Sequence, residues 1–275
     1  MFGKKKNSAQ NAALIADDRR SILSPESNFF IREAYKTLRT NTMFALAGQD
    51  GCKVAVVTSS LQGEGKSITA LNLAISFAEA ENRVLLIDCD LRRPKLARLL
   101  RKSSHAGLSN LLLDPSLLGE AILPSDVTGL DVILSGDIPP NPSELLGSAR
   151  MSALLAQLRE KYDYILLDTP PVNMVTDAVV LAPKSDGVLF VVRAGRSERG
   201  PIAHAVEQLG YAQAKILGFV LDDVTASSGS YGYSKYKRYG YGRYGYGRSY
   251  GYGYGYGYGY GHLPGGSQGE GSASP

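Results

Sequence analysis

From Val54 to Ala78 the chain passes through an unbroken apolar run, Val54-Ala-Val-Val-Thr58, a polar turn, Ser59-Ser-Leu-Gln-Gly-Glu-Gly-Lys-Ser67, and a segment with Leu71, Ala74, Ile75 and Ala78 at helical spacing. A short apolar run bounded by turn residues reads as a buried strand, and apolar residues three and four apart read as one face of a helix. The turn must therefore deliver a strand directly into a helix start. Gly63 and Gly65 let backbone N–H groups approach an anion, and the helix beginning near Lys66 aims its positive end at the same point. This is a phosphate loop. Lys66 reads as the group holding β- and γ-phosphates and Ser67 as a Mg²⁺ ligand, with Glu64 and Ile68 completing the nucleotide-binding stretch. The strict pattern has glycine five residues before Gly65, where this chain has Ser60; the strand–loop–helix context carries the assignment.

The rest of the chain repeats the alternation. Asn28 to Ala47 carries Ile31, Ala34, Tyr35 and Leu38 at helical spacing, which assigns Ile31, Ala34 and Leu38 to the core. Strands are expected at Arg83–Asp88, Leu130–Leu134, Tyr164–Asp168, Gly187–Val192 and Ile216–Leu221. Helices are expected at Ser143–Lys161, around Asp177 and near Ile202–Leu209. Continuous Val/Ile/Leu strands separated by helices imply a mostly parallel sheet covered on both faces, a doubly wound α/β domain.

Charge is placed unevenly. The chain has 30 Lys and Arg against 26 Asp and Glu, a net +4, and all of that excess falls beyond residue 224. The body does not bind polyanions by bulk charge, and no nucleic-acid partner is expected. The Lys4-Lys5-Lys6 start and the tail favour an acidic membrane surface or keep the ends soluble. No apolar run approaches a span of about 18 residues, and the start lacks the apolar core of a signal peptide. Cys52 and Cys89 are too few for a disulfide framework and too far apart for a metal motif; both read as small buried hydrophobes. A cytoplasmic, reduced location is expected.

Three aspartates stand at strand ends. Asp168 closes Tyr164-Ile-Leu-Leu-Asp168 as a Mg²⁺-orienting carboxylate should. Asp88 and Asp90 flank Cys89 at the end of the preceding strand, and residues two apart on a strand share a face. Both can look toward the phosphate loop, one joining Asp168 and Ser67 in the metal shell and one acting on an incoming nucleophile; which does which stays open. A lone strand-end aspartate is often only a helix cap, but three beside one phosphate loop are not explained that way. Arg92 and Arg93, just beyond, either steer the acceptor or a transferred phosphate, or are solvated.

The last segment is low in complexity. Tyr231, Tyr233, Tyr236, Tyr239, Tyr241, Tyr244, Tyr246, Tyr250, Tyr252, Tyr254, Tyr256, Tyr258 and Tyr260 fall within thirty residues, most alternating with glycine. Such a tract has no helical periodicity, and alternate glycines raise the entropy cost of order. Alone it would also suit a sticky or nucleic-acid-binding segment. Behind a phosphate loop it reads as a row of phosphoryl acceptors. The expected organisation is a basic start over residues 1–24, a nucleotide-binding domain over 25–224 and a tyrosine-rich tail over 225–275.

Taken together, the chain resembles the bacterial tyrosine kinases, in particular the stand-alone kinases of capsular and exopolysaccharide operons. The resemblance runs from about Pro25 to Val224. It is carried by Gly63-Glu-Gly-Lys-Ser67, Asp88-Cys-Asp-Leu-Arg-Arg-Pro94, Asp168-Thr-Pro-Pro171, Pro139-Pro-Asn-Pro-Ser-Glu-Leu-Leu146 and Glu33-Ala-Tyr-Lys-Thr-Leu-Arg-Thr-Asn41. The tyrosine cluster completes it. The resemblance implies a phosphate-loop nucleotidase fold of the MinD/ParA kind, ATP and Mg²⁺ as cofactors, and tyrosine as acceptor. It implies a ring-like homo-oligomer in which one subunit's tail enters a neighbour's site. It also implies a membrane-spanning polysaccharide co-polymerase adaptor as activator, holding a pool of the protein at the plasma membrane, and a cognate tyrosine phosphatase.

Two positions depart from the family pattern. The interface helix has E-x2-R-x2-R in the family, and this chain has Glu33, Lys36 and Arg39; lysine keeps the charge but lacks the bidentate fork. Asp222 stands where related folds place an adenine-reading Asn, and a carboxylate can only accept. The alternative reading is a MinD/ParA-like positioning ATPase. Those proteins resemble one another in a second lysine early in the loop, where this chain has Leu61.

Overall fold

The structure, a computed structural model, describes residues 19–48 and 50–224. Lys4–Lys6 and the thirteen tail tyrosines lie outside the described residues.

Seven strands form one sheet: β1 (Lys53–Ser59), β2 (Val84–Asp88), β3 (Ile122–Pro124), β4 (Leu130–Ile133), β5 (Tyr164–Asp168), β6 (Gly187–Arg193) and β7 (Ile216–Asp222). Their order is β3-β4-β2-β5-β1-β6-β7, and every neighbouring pair is parallel except β3 with β4. Strand side chains alternate between faces, so the unbroken apolar runs divide into two cores. Val54, Val56, Leu85, Ile87, Ile165, Leu167, Val188 and Phe190 build one; Ala55, Val57, Val84, Leu86, Leu166, Leu189 and Val191 build the other.

Nine helices, the count among the described residues, dress the sheet: α1 (Phe29–Ala45), α2 (Lys66–Ala78), α3 (Leu96–Leu100), α4 (Leu108–Leu113), α5 (Leu118–Ala121), α6 (Pro142–Gly147), α7 (Ala149–Arg159), α8 (Asp177–Leu181) and α9 (Arg199–Tyr211). Met151, Leu154, Leu155 and Leu158 of α7, Leu181 of α8 and Leu209 of α9 close the first core. Leu71, Ala74, Ile75 and Phe77 of α2 and Leu96 and Leu99 of α3 close the second. From Lys66 to Ala78 every residue of α2 except Ile68 is buried, because the helix lies between the sheet and α1. The phosphate-loop helix is thus the most enclosed helix of the molecule.

Several expectations are revised. The single helix expected over Ser143–Lys161 is two, α6 and α7, broken where Ser148 adopts extended backbone and its hydroxyl caps α7 by accepting from Met151 N. Ile31 and Ala34, assigned to the core, are exposed. α1 instead lies down on Tyr35, Leu38, Thr42 and the adjoining Leu46, a stripe rotated away from Ile31. The packed body also starts upstream of Pro25: Leu23 is buried, and Ser21 O and Leu23 N bond the Asn72 amide of α2. Cys52 and Cys89 are free and buried, and among the described residues no helix is long and apolar enough to cross a membrane.

Leu86 is fully enclosed in the second core. Leu86→Ala should lower the unfolding free energy by about 2–5 kcal/mol in a urea titration. Leu113→Ala, at a position 64% exposed, should stay within about 0.5 kcal/mol.

Candidate active site

Parallel pairing gathers the carboxyl ends of β1, β2, β5, β6 and β7 along one edge, where open α/β sheets form their ligand crevice. In register, Asp168 stands beside Val57 on one side and beside Asp88 on the other, and Arg193 beside Asp222. Residues from five separate parts of the chain thus meet at the phosphate loop.

The loop needs both of its glycines. Gly63 and Gly65 have φ of +80° and +89°, where L side chains are strained. A Cβ on Gly65 would lie 2.0 Å from Asp222 Oδ2, and one on Gly63 would lie 3.1 Å from the Arg196 guanidinium. Glu64 is buried and turned inward, its carboxylate accepting from Ser60 Oγ (2.9 Å), Leu61 N (2.7 Å) and Ser197 Oγ. Its side chain therefore braces the loop and leaves only its backbone for a phosphate. Arg193 donates to Gly63 O at 2.9 Å and to Asp223, while its own N–H is taken by Ser197 Oγ. The β6–α9 turn is a collar around the loop. Arg193, Arg196 and Ser197 carry no local pattern that marks them in the sequence; only strand order brings them here.

The three aspartates differ in setting. Asp90 sits 3.5 Å from Lys66 Nζ, both side chains nearly buried, and its Oδ1 accepts from Arg93 N at 3.0 Å. Asp88 accepts from Asp90 N (3.2 Å) and Leu96 N (3.1 Å). Asp168 is fully buried, and both of its carboxylate oxygens lack a hydrogen-bond donor. Burial and the neighbouring Asp168 carboxylate push Asp88 up to about 8. Burial also raises Asp168, opposed by the Lys66 charge and the nearby Ser67 hydroxyl.

A cation fits this arrangement. Two buried oxygens without donors, next to the Ser67 hydroxyl, form a hard-oxygen set of the kind Mg²⁺ takes, with the remaining ligands drawn from phosphate and water. Among the described residues no group of three or more His, Cys, Asp or Glu side chains can hold a metal by itself. The protein's share of the shell is small.

Arg92 is partly exposed but engaged. Its guanidinium binds Asp177 through two bonds and also reaches Ser143, while Arg93 reaches Gln62 Oε1 at 3.3 Å. On α1, Lys36 pairs with Glu33 at 2.7 Å, and Arg39 donates to Ser76 O of α2 at 2.5 Å. Ile68 is half-buried, and Asp222 is raised by burial.

Crowded buried carboxylates make a pH signature. With Asp88 and Asp168 raised above 3.8, the folded state binds more protons than the unfolded one from about pH 4 to about 8, so stability falls as pH rises through that window. The thermal midpoint of the nucleotide-free protein should drop between pH 5 and pH 9. Asp168→Asn, which removes one carboxylate and leaves no donor stranded, should flatten that slope and hold or raise the midpoint at pH 8. A cap removed from a helix would instead lower it at every pH.

Comparison with known proteins agrees with the geometry. Residues 52–214 match the family model described as an AAA domain. The chain is 39% identical over 216 residues to the tyrosine-protein kinase YwqD of Bacillus subtilis, covering 78% of this chain and 91% of that protein. It is 37% identical over 209 residues to the tyrosine-protein kinase CpsD of Streptococcus agalactiae, covering 76% and 89%. The kinase domain of the Escherichia coli tyrosine kinase ETK superposes with a TM-score of 0.67 at 34% identity, over 74% of this chain and 80% of that one. The cell-division ATPase MinD of Pyrococcus furiosus, at 23% identity and a TM-score of 0.52 over 62% and 71%, shares the fold alone. The chain is a nucleotide-binding phosphate-loop protein, and it belongs to the bacterial tyrosine-protein kinase family.

Proposed function

We propose that this protein is an ATP- and Mg²⁺-dependent tyrosine kinase that phosphorylates the tyrosine cluster of its own tail, in trans within a homo-oligomer, and so regulates capsular or exopolysaccharide synthesis. The observation that carries the reading is the pair of donor-free oxygens on Asp168, facing Lys66 and Ser67 on a phosphate loop. Nothing in the fold's stability calls for an unsatisfied buried carboxylate.

Phosphoryl transfer is mainly positioning and charge neutralisation. Lys66 and the loop amides of Gly63 to Ser67 hold the nucleotide phosphates, and Asp222 stands against Gly65 at the edge of the loop. Ser67 and Asp168, with Asp88 beside them, are the residues that would hold Mg²⁺, which would supply charge neutralisation for the transferred phosphoryl group. The phenol proton passes to the Asp88/Asp90 pair, and Asp90 keeps Lys66 aligned. The collar of Arg193 and Ser197 keeps the loop open without the nucleotide having to order it. The acceptors in this reading are the tail tyrosines 231–260, and the site that modifies them belongs to another copy.

Two features support assembly. Phe29, Phe30, Ile31 and Phe44 are exposed on α1 beside the Glu33–Lys36 pair, a surface apolar enough to be covered. Arg39 is spent on α2 and serves that surface by fixing the helix. A membrane-spanning polysaccharide co-polymerase adaptor as activator, a peripheral membrane pool and a cognate phosphatase belong to the same reading. The positioning-ATPase alternative is not favoured: Leu61, apolar and partly exposed, stands where its second lysine belongs.

Purified protein given ATP and Mg²⁺, with the adaptor's cytoplasmic segment if needed, should gain phosphate on tyrosines 231–260 by intact mass and peptide mapping. Lys66→Met should abolish it with the fold intact. Asp88→Asn, Asp90→Asn and Asp168→Asn should each lower the rate on the order of 10²-fold or more. Label confined to Ser or Thr, or ATP turnover with no protein-bound phosphate, would return the ATPase reading.

A further inference from the structure

Arg92 stands two residues beyond Asp90 and pairs with residues of α8 and α6. Its Nε and Nη2 reach the two oxygens of Asp177 at 3.0 and 3.1 Å, and Nη2 also reaches Ser143 Oγ at 3.0 Å. Ser143 Oγ in turn donates to Asp177 Oδ1 at 2.5 Å, and Thr176 Oγ1 lies 3.2 Å from Ser143 Oγ. The Asp177 side chain is 0% exposed and that of Arg92 37%. A carboxylate without water keeps its charge only when paired and hydrogen-bonded. Asp177 therefore commits the guanidinium to itself.

The junction joins three pieces of chain that sequence separates. Arg92 belongs to the segment carrying Asp88 and Asp90. Asp177 opens α8, at the end of the loop that leaves Asp168. That loop is latched to β1 by Thr169 Oγ1 on Val57 O, Thr58 Oγ1 on Pro170 O and Val172 N on Ser59 O, each at 2.9 Å. Ser143 belongs to α6, within the Pro139–Leu146 stretch. Beyond Cys89, whose N–H bonds Asp168 O at 2.8 Å, the other side-chain ties from residues 90–94 to the rest of the described structure are long ones. They are Lys66–Asp90 at 3.5 Å and Arg93–Gln62 at 3.3 Å. Neither fixes a carboxylate closely.

We propose that Arg92 is a positioning residue: the Arg92–Asp177–Ser143 junction holds the stretch that follows β2, and with it the Asp90–Lys66 pair, in place beside the laddered Asp88 and Asp168. This deepens the phosphoryl-transfer reading and rests on it. In this role the junction need touch neither nucleotide nor acceptor. It acts on the distance between groups that must converge, and a displacement of about 1 Å in such groups lowers rates by about 10²-fold. The bidentate pair with a buried carboxylate adds positioning to the readings open to Arg92 from the sequence, which are steering of the acceptor or a transferred phosphate, and solvation.

The test uses full-length protein carrying Arg92→Lys, Ser143→Ala or both, leaving buried Asp177 intact. Tyrosine transfer gives kcat and KM for ATP, direct titration gives ADP affinity, and thermal unfolding reports the fold. Lysine keeps a charge opposite Asp177 but cannot make the fork. Arg92→Lys should lower kcat by about 10-fold or more while KM for ATP and ADP affinity stay within about twofold and the midpoint moves by only a few degrees. Ser143→Ala should lower kcat less, and the double variant should fall short of the product of the single effects, as expected for one shared unit. Wild-type kcat in Arg92→Lys overturns the proposal, and so does a loss confined to KM for a tyrosine acceptor peptide, which would make Arg92 an acceptor ligand. If the unmodified protein transfers nothing to tyrosine, the kinase reading fails, and the junction is judged on the ATP hydrolysis rate of the same variants. A 10-fold drop there sustains it, and no drop overturns it.

Discussion

Two neighbouring carboxylates sealed from water, Asp88 and Asp168, with a lysine facing them, are the constraint on which the rest of the molecule depends. Such a cluster is unfavourable by itself, because desolvation and mutual repulsion both oppose ionisation. It persists because the surrounding sheet is covered on both faces and does not relax around it. Two cores, one on each face, hold β2 and β5 at fixed register, so Asp88 and Asp168 cannot move apart without breaking a ladder. The strain is concentrated at the one edge where ligand charge would relieve it. That is the usual relation between stability and activity at a preorganised site.

Around this cluster the loops act as braces more than as ligands. Glu64, a phosphate-loop residue, uses its carboxylate to tie Ser60, Leu61 and Ser197 together. Arg193 links Gly63 to Asp223, and Arg92 links the aspartate segment to α8 and α6. Lys66 is thus the ionic side chain at the centre of the site, while Arg92, Arg93 and Arg193 are engaged with other protein groups. An anion entering the loop meets a cradle already in shape, which lowers the ordering cost of binding.

Helix α1 connects an exposed aromatic surface to the same machinery. Arg39 bonds the Ser76 carbonyl of α2, and half-buried Tyr35 packs against the same core, its phenol raised by burial and set beside Asn72 and Thr69. The outer side of α1 keeps its aromatic residues exposed. A helix that packs one face on the phosphate-loop helix and leaves the other exposed gives a short mechanical path from that surface to the phosphate loop.

The local chemistry was legible in the sequence because it depends on neighbours in the chain. A strand, two glycines and a helix start make a phosphate loop whatever lies around them, and unbroken Val/Ile/Leu runs alternating with helices imply a parallel sheet. Asp88, Asp90 and Asp168 were recognisable as strand-end carboxylates for the same reason. Tertiary structure alone decided which groups stand opposite each other. Nothing near Arg92 in the chain points to Asp177, since the pairing comes from the position of β5 between β2 and β1 and from the turn into α8. The rotation of α1 that exposes Ile31 and buries Thr42 was equally hidden, because a helix with apolar residues on more than one side is oriented by its partner, and the partner is α2. The collar of Arg193, Arg196 and Ser197 reaches the loop because β6 pairs with β1. Periodicity reports what a segment can bury; only the packed sheet determines what it meets.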